Sequence, residues 1–309
     1  MKDGLYIAFA PLQGYTDSTY RRAHAECAGG VDEYFTPFLR LEGGVPRGKD
    51  LRDIDPDRNA GVPTAVQLIS RDRDEFARLC DAVQALGWQR VDLNLGCPFP
   101  MQVRAGRGSG LLARPDRLAA IADEMRRRPD VGFSIKMRLG QDSADEGIAL
   151  LQIINDMRLV QLTLHPRLGR QQYKGAPDRE AFRRFAERCR QPMVYNGDLL
   201  TLQDISDLRR QMPALKGVML GRGLLAQPWL LSDRQPLEVL SDMHERVYRH
   251  ATATLCGDCQ VLGRLHAFWE YHTALLDRRQ LKAIRKATTL ARYREAVAPL
   301  LRRQGVAEG

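Results

Sequence analysis

The sequence predicts an α/β fold, a (β/α)8 TIM barrel followed by a smaller all-helical C-terminal domain. Three observations carry that prediction. Eight short, apolar, β-leaning segments recur over the first two thirds of the 309 residues. Most of them are followed by apolar residues at helical spacing, and strand–helix alternation implies parallel strands joined by right-handed crossovers. From about Gln235 the strand-like runs vanish and the chain reads as helix to its end. Eight βα units suit a closed barrel, which takes about 250 residues, better than an open doubly wound sheet.

The strand candidates are residues 6–10, 33–35, 64–68, 91–93, 133–137, 159–164, 193–195 and 217–220. Phe76, Leu79, Cys80, Val83 and Leu86 follow the third; Leu118, Ile121, Ala122 and Met125 follow the fourth; Phe182, Phe185, Ala186 and Cys189 follow the sixth. Each set has the i, i+3, i+4, i+7 spacing of an amphipathic helix. The second unit is the poorest: residues 41–62 carry glycine, proline and charge with little periodicity, and read as a long loop. Residues 234–236 mark a boundary, giving 1–234 to the barrel and 235–309 to the helical domain. In that domain Leu281, Ile284, Thr288 and Ala291 are expected on one helical face, with Arg278, Lys282, Arg285 and Lys286 on or near another.

Hydrophobic residues make up 44% and charged residues 28% of the chain, so a core of ordinary size forms and wholesale disorder is excluded. No apolar run approaches the ~20 residues that span a bilayer. The first residues lack a long apolar segment of the secretory type, and six cysteines show no framework spacing, so a cytoplasmic protein is expected. The net charge of +9 is unevenly spread. Between Arg278 and Arg303 stand nine Lys or Arg and one acidic residue, Glu295, a local net of +8. Such an excess suits an extended polyanion such as nucleic acid, although a solvated face that only aids solubility has the same composition.

In such a barrel the active site lies at the C-terminal ends of the strands. The fourth strand ends in Asn94-Leu95-Gly96-Cys97-Pro98. Cys97 is on no helical apolar stripe and sits in a Gly/Pro turn, where a thiol can serve as nucleophile, metal ligand or proton donor. A nucleophile wants an adjacent base and a metal site wants further ligands at fixed spacing; a donor needs only placement. The glycine-dense residues 106–110 have the composition of a mobile loop or lid. Lys136 lies in an otherwise apolar fifth strand, so its ammonium should meet an anion, either a ligand or an internal carboxylate. His165 ends the sixth strand at the same rim, and Gln67 on the third supplies an amide. Asn196-Gly197-Asp198 and Gly221-Arg222-Gly223 follow the seventh and eighth strands, the slots where barrels bind phosphate on backbone N–H groups. A phosphate site at one end and cationic groups facing a planar heterocycle at the other match the shape of flavin mononucleotide, FMN.

These residues resemble the tRNA-dihydrouridine synthases. The likeness runs in order over about residues 5–230: Ala10-Pro11-Leu12-Gln13-Gly14-Tyr15-Thr16-Asp17, Gln67, Asn94 to Pro98, Lys136-Met137-Arg138-Leu139-Gly140, His165-Pro166-Arg167, Asn196 to Asp198 and Gly221 to Gly223. The Asn-x-Gly-Cys-Pro segment is highly specific; the others are shared with several flavin barrels. The resemblance implies reduction of the C5–C6 double bond of specific uridines in tRNA, with FMN as hydride carrier and NAD(P)H as reductant. It implies that Lys136 and His165 face the pyrimidine end of the flavin and that Gln67 hydrogen-bonds the ring. Asn196, Gly197, Asp198, Gly221 and Arg222 would hold the phosphate, with Ala10, Pro11 and Leu12 beneath the ring system. Cys97 would protonate C5 of the uracil, Asn94 would help hold that base, and Arg104, Arg167, Tyr173 and Lys174 would meet RNA. The basic tail, through Arg278, Lys282, Arg285 and Lys286, would bind tRNA as in the family's RNA-binding domain.

Two departures stand out. Many members carry basic residues soon after Cys-Pro, where this chain has Phe99-Pro100-Met101-Gln102 and its first cation at Arg104. Pro166 replaces a usual glycine, removing an N–H and stiffening the loop. Cys256 and Cys259 form half a zinc or redox motif with no second pair near, and His244, His250, His266 and His272 read as surface or packing residues. A monomer without metal or membrane attachment is expected. The competing readings are an FMN barrel acting on a free pyrimidine or other small molecule, and an RNA-binding barrel without catalysis.

Overall fold

A computed structural model describes residues 4–272, 275–276 and 278–301. All eight predicted segments become parallel strands: Tyr6–Phe9, Glu33–Phe35, Thr64–Leu68, Arg90–Leu95, Gly132–Gly140, Gln161–Leu168, Met193–Tyr195 and Gly217–Leu220. Each pairs with its neighbour in the chain, and the first pairs with the eighth to close the barrel. The fourth, fifth and sixth strands run on beyond their apolar segments. Their ends carry Asn94, Arg138, His165 and Arg167, polar residues that apolar composition does not flag but that stay on strand backbone at the barrel mouth.

The helices form where the spacing placed them. Arg73–Ala85 buries Phe76, Leu79, Cys80 and Val83, and the Asp72 carboxylate caps its start by accepting from the Glu75 N–H. Leu86 falls just past its end and is partly exposed. Pro115–Arg126 buries Leu118, Ile121, Ala122 and Met125, and Arg179–Ala186 buries Phe182 and Phe185. Residues 41–62 are more ordered than expected. They hold a hairpin of Leu41–Glu42 with Val45–Pro46, a short helix Gly48–Asp53 and a turn of helix at Asp57–Asn59. Polar contacts organise this stretch: the buried Arg21 donates to the Asp53 carboxylate at 3.0 Å, to Asn59 Oδ1 at 2.7 Å and to the Thr16 carbonyl at 2.7 Å.

The barrel interior is divided. Ala8, Ala10, Phe35, Ala65, Val194 and Met219 form a small apolar cluster. Across from it, strands three to six turn polar side chains inward in register. Gln67, Asp92, Ser134 and Gln161 share one level, Asn94, Lys136 and Thr163 the next, and Arg138 and His165 the one nearest the mouth. Buried polar groups are stable only when partnered, so this half of the barrel must be hydrogen-bonded or meet a ligand.

The C-terminal helices are Pro236–Thr254, Gly257–Trp269, Arg278–Lys286 and Leu290–Leu301. The tail is thus two helices, not one. The predicted apolar face holds only at Leu281 and Ile284; Thr288 and Ala291 are exposed, because a break at residues 287–289 resets the helical phase to Tyr293, Val297 and Leu300. The Tyr293 hydroxyl is the polar centre of this core, accepting from Trp269 Nε1 at 2.7 Å and lying 2.8 Å from His244 Nε2. His244 and His272 are buried packing residues, whereas His250 and His266 are partly exposed. These helices dock on the first barrel helix, Ser18–Cys27, and its flanks through Arg264–Asp17 at 2.7 Å, Arg246–Glu26 at 2.8 Å and Tyr15–Glu270 at 2.9 Å. Among the described residues no helix is long and apolar enough to cross a membrane.

Candidate active site

A cavity of about 380 Å³ opens at the C-terminal ends of the strands and is lined by Gln67, Asn94, Cys97, Lys136, Arg138, His165 and Tyr173, with Pro11 and Leu12 beside them. A smaller pocket shares Pro11, Leu12, Lys136, His165 and Tyr173 and continues to Ala10, Asn196, Gly197, Asp198, Gly221 and Arg222. The structure therefore brings together every residue that the sequence assigned to a flavin and to the thiol. The tail cations Arg278, Lys282, Arg285 and Lys286 are all exposed and lie outside the cavity; Arg302 and Arg303 lie outside the described residues.

Cys97 is held from two sides. Asn94 Oδ1 accepts from the N–H of Gly96 at 3.0 Å and of Cys97 at 2.8 Å. The Ser109 N–H and hydroxyl both donate to the Cys97 carbonyl, at 3.1 and 3.0 Å. Gly108 has φ +57, and a Cβ there would stand 2.6 Å from the Cys97 oxygen, so only glycine permits this approach. Residues 106–110 are consequently a packed support under Cys97 and not a lid: Gly108–Leu111 is a short 3-10 helix with Ser109 and Leu111 buried. Burial pushes the Cys97 thiol above its ordinary range, against the Phe99 N–H, Arg138 and Lys136, which pull it down. A thiol that stays protonated suits a proton donor better than a nucleophile.

Among the described residues Lys136 pairs with no carboxylate. Burial, and then the charge of Arg138, lower its ammonium to about 8, and Asp92 opposes them. The internal salt bridge that would have explained it is absent from the described contacts, which leaves a cation at the cavity wall available to an anion. His165 is kept neutral by burial and by the surrounding cations, Lys136 first. Arg167 Nη1 donates to His165 Nε2 at 3.1 Å, which assigns the ring proton to Nδ1.

One expectation is corrected. Arg167 does not reach RNA: it is buried, donates to the Gly175 carbonyl at 2.6 Å and is paired with Asp198, and so is spent inside the protein. The Asp198 carboxylate pairs with Arg167 and with Arg222 (2.5 Å), which hold it ionised against burial, so any part this turn takes in holding a phosphate falls to its backbone. Asp198 sits at φ +42, a backbone conformation uncommon outside glycine. Asn196 Nδ2 donates to the Met219 carbonyl at 2.7 Å and locks the seventh strand to the eighth. Gly223 lets the two loops meet, because a Cβ there would stand 2.5 Å from the Leu199 oxygen. The N–H groups of Arg222 and Gly223, in the first turn of Arg222–Ala226, find no acceptor among the described residues.

Sequence reasoning missed Arg138 as a site residue. Its guanidinium donates to Gly96 O at 2.9 Å, Leu168 O at 3.0 Å and Gln172 O at 2.7 Å, and burial lowers it to about 10. It thus ties the Cys97 turn to the loop bearing Tyr173, whose ring lies 5.5 Å from the Arg138 guanidinium and 4.9 Å from that of Arg222. A charged residue two places after Lys136, at strand period, was the available signal. Arg104 and Lys174 are exposed at this end of the molecule. Cys256 and Cys259 are exposed at a helix start, and among the described residues no group of three or more His, Cys, Asp or Glu could hold a metal ion.

A family model described as dihydrouridine synthase matches residues 8–302. The chain belongs to the dihydrouridine synthase family. Membership makes it a flavin-dependent oxidoreductase that forms dihydrouridine. It is 31% identical over 232 residues to a tRNA-dihydrouridine(16) synthase of Pseudomonas syringae pv. tomato, covering 72% of this chain and 73% of that one. It is 29% identical over 312 residues to a probable tRNA-dihydrouridine synthase of Rhodobacter capsulatus, covering 94% of both. Morphinone reductase superposes with a TM-score of 0.51 at 11% identity, over 76% of this chain and 88% of that one. The old yellow enzyme of Trypanosoma cruzi gives 0.51 at 12%, over 75% and 89%. At these identities the likeness concerns the barrel fold.

Proposed function

We propose that this protein reduces uridine in tRNA to 5,6-dihydrouridine, using FMN held at the barrel mouth and NAD(P)H as reductant. The observation that carries the reading is a pair of adjoining pockets that share Pro11, Leu12, Lys136, His165 and Tyr173, one lined by Cys97 and the other by the turns after strands seven and eight. The residues fit FMN. Lys136 and the His165 Nδ1–H suit the acceptor-rich pyrimidine end, and Gln67 can add an amide N–H. Arg222 and the unclaimed N–H groups of Arg222 and Gly223 suit a phosphate. Pro11 and Leu12 give both pockets an apolar wall. Bound there, FMN supplies the hydride that goes to C6 of the uracil.

The protein's own residues supply the rest. Cys97 delivers the proton to C5, and its raised pKa keeps that proton in place at neutral pH. The target base must leave its stack to enter the cavity. Asn94 and Tyr173 line the space it would occupy, and Arg104 and Lys174 stand at the rim for phosphates. Residues 235–309 are assigned to tRNA binding through Arg278, Lys282, Arg285 and Lys286. A monomer working in the cytoplasm suits this reading. The Pseudomonas relative is named for position 16, which makes that uridine the first to examine.

The test is anaerobic. The purified protein should be yellow, release FMN on denaturation, be bleached by NAD(P)H and regain colour only with tRNA from a strain lacking the gene. Mapping should then find new dihydrouridine in that tRNA. Reoxidation by free uracil or uridine at the tRNA rate would sink the assignment of substrate.

A further inference from the structure

Asp92 lies on the fourth strand two residues before Asn94, fully buried, and has no part in the steps above. Its carboxylate accepts from Ser134 Oγ at 2.6 Å and from Gln67 Nε2 at 2.7 Å. Gln67 Oε1 accepts in turn from Asn94 Nδ2 at 2.7 Å. Asn94 Oδ1 then accepts from the backbone N–H groups of Gly96 and Cys97. The result is an unbroken chain of hydrogen bonds from a buried acid, through two amides, to the turn that carries the thiol.

The polarity of this chain is fixed at both ends. An ionised carboxylate can only accept, and a backbone N–H can only donate. Between those ends each amide has a single satisfactory orientation, with its oxygen turned toward Cys97 and its nitrogen toward Asp92. The second hydrogen of each NH2 group is then left to donate, and both residues line the cavity. With Lys136 and Arg138 on the neighbouring strand, that wall offers donors, which suits rings edged with carbonyl oxygens.

We propose that Asp92 is a positioning residue, which through Gln67 and Asn94 seats the Cys97 turn and presents amide donors to the pocket. Burial raises Asp92 to about 6 even with the bonds from Ser134 and Gln67 pulling it down, and the backbone N–H end of the chain alone fixes the direction of both amides. The value of seating Cys97 rests on the proton-donor role given above, but the chain itself does not, and the experiment reads them separately.

Two substitutions in the full-length protein separate the chain from the charge. In Asp92→Asn the new oxygen still accepts from Gln67, while its NH2 donates to Ser134 Oγ, whose hydroxyl can rotate. In Asp92→Leu the volume stays similar and the acceptor is gone. The primary readout is the pH profile of Cys97 alkylation by iodoacetamide, followed by mass spectrometry of the Cys97 peptide. It needs neither flavin nor tRNA. Asp92→Leu should move the Cys97 rate at least about threefold and displace its profile. In the tRNA reaction it should lower kcat by roughly tenfold or more, as expected when a reacting group loses its placement. Asp92→Asn should stay within about twofold of the parent in both, since the bonding pattern survives. An Asp92→Leu protein with the parent's Cys97 profile would overturn the proposal, as would an Asp92→Asn protein that fails equally. If Asp92→Leu does not fold, the side-chain amide resonances of Gln67 and Asn94 in the unaltered protein decide: they should be protected from solvent exchange, and exchange as fast as in free amides would overturn the chain. Colourless protein or inert tRNA would count against the proposed function while leaving these readouts intact.

Discussion

The cations at the barrel mouth and those on the tail carry the same charge and are held in opposite ways. Lys136, Arg138 and Arg167 are withdrawn from water; burial lowers Lys136 to about 8 and Arg138 to about 10. Arg138 and Arg167 are consumed by carbonyls and a carboxylate, and Lys136 alone lacks a described anion. Arg278, Lys282, Arg285 and Lys286 stand in solvent, and among the described residues Arg285 makes a 3.4 Å contact to the Glu270 carbonyl. A buried cation is tolerated only where geometry or a ligand compensates it, so it marks a specific contact. Exposed cations act through a screened field and suit a polyanion of any sequence. The mouth should therefore respond to single substitutions and the tail only to several together.

The largest effect should come from the mouth. Cys97→Ala is expected to lower flavin reoxidation by tRNA by ~10²–10⁴-fold, the usual yield of general acid catalysis, with reduction by NAD(P)H unchanged in stopped flow. A variant reoxidised at the parent rate would end the donor role. Next, Arg222→Glu should give colourless protein with the parent's circular dichroism, because the charge reversal sets a second carboxylate beside Asp198 at the rim that would hold phosphate. A fully flavin-loaded variant would move the phosphate elsewhere.

Acid should weaken both regions through buried histidines. Burial lowers His24 to about 3 and His244 and His272 to about 4, against an ordinary value of 6.5. The unfolded chain then binds more protons than the folded one between pH 6.5 and about 4, so stability falls as pH falls through that window. Each group contributes a slope of about 1.4 kcal/mol per pH unit at most. Urea midpoints at pH 7 and pH 5 test this, and equal midpoints would contradict it. His244 and His272 lie in the helical region, so that region should lose structure first.

The smallest effect belongs to the tail. Replacing Lys282, Arg285 and Lys286 by Gln should weaken tRNA binding and flatten its salt dependence by up to about 0.9 per lost phosphate contact. Flavin content should not change. An unchanged slope in a salt titration would transfer the RNA contacts to Arg104 and Lys174, with Arg167 excluded by its burial.

Much of the site was legible from residues alone, because a barrel puts its chemistry at strand ends and the chain places Cys97, Lys136, His165 and the two glycine-bearing turns there. What misled was composition read without packing. Glycines at residues 106–110 suggested motion, yet Gly108 is required where the chain presses on Cys97. Arg167 looked available to RNA, yet its guanidinium is paired with Asp198 inside the protein. Residues 41–62 lack apolar periodicity because Arg21 and its polar partners order them.

The sequence by itself determined the order of the eight barrel strands, the faces of the main barrel helices and most of the residues that reach the barrel mouth. Those follow from local periodicity, which the chain carries residue by residue. Tertiary structure alone decided which polar side chains neutralise one another, where the tail helix breaks, and that Asp92, Gln67 and Asn94 join into one chain leading to Cys97. Those outcomes depend on distances between strands and loops far apart in sequence, and no local pattern encodes such distances.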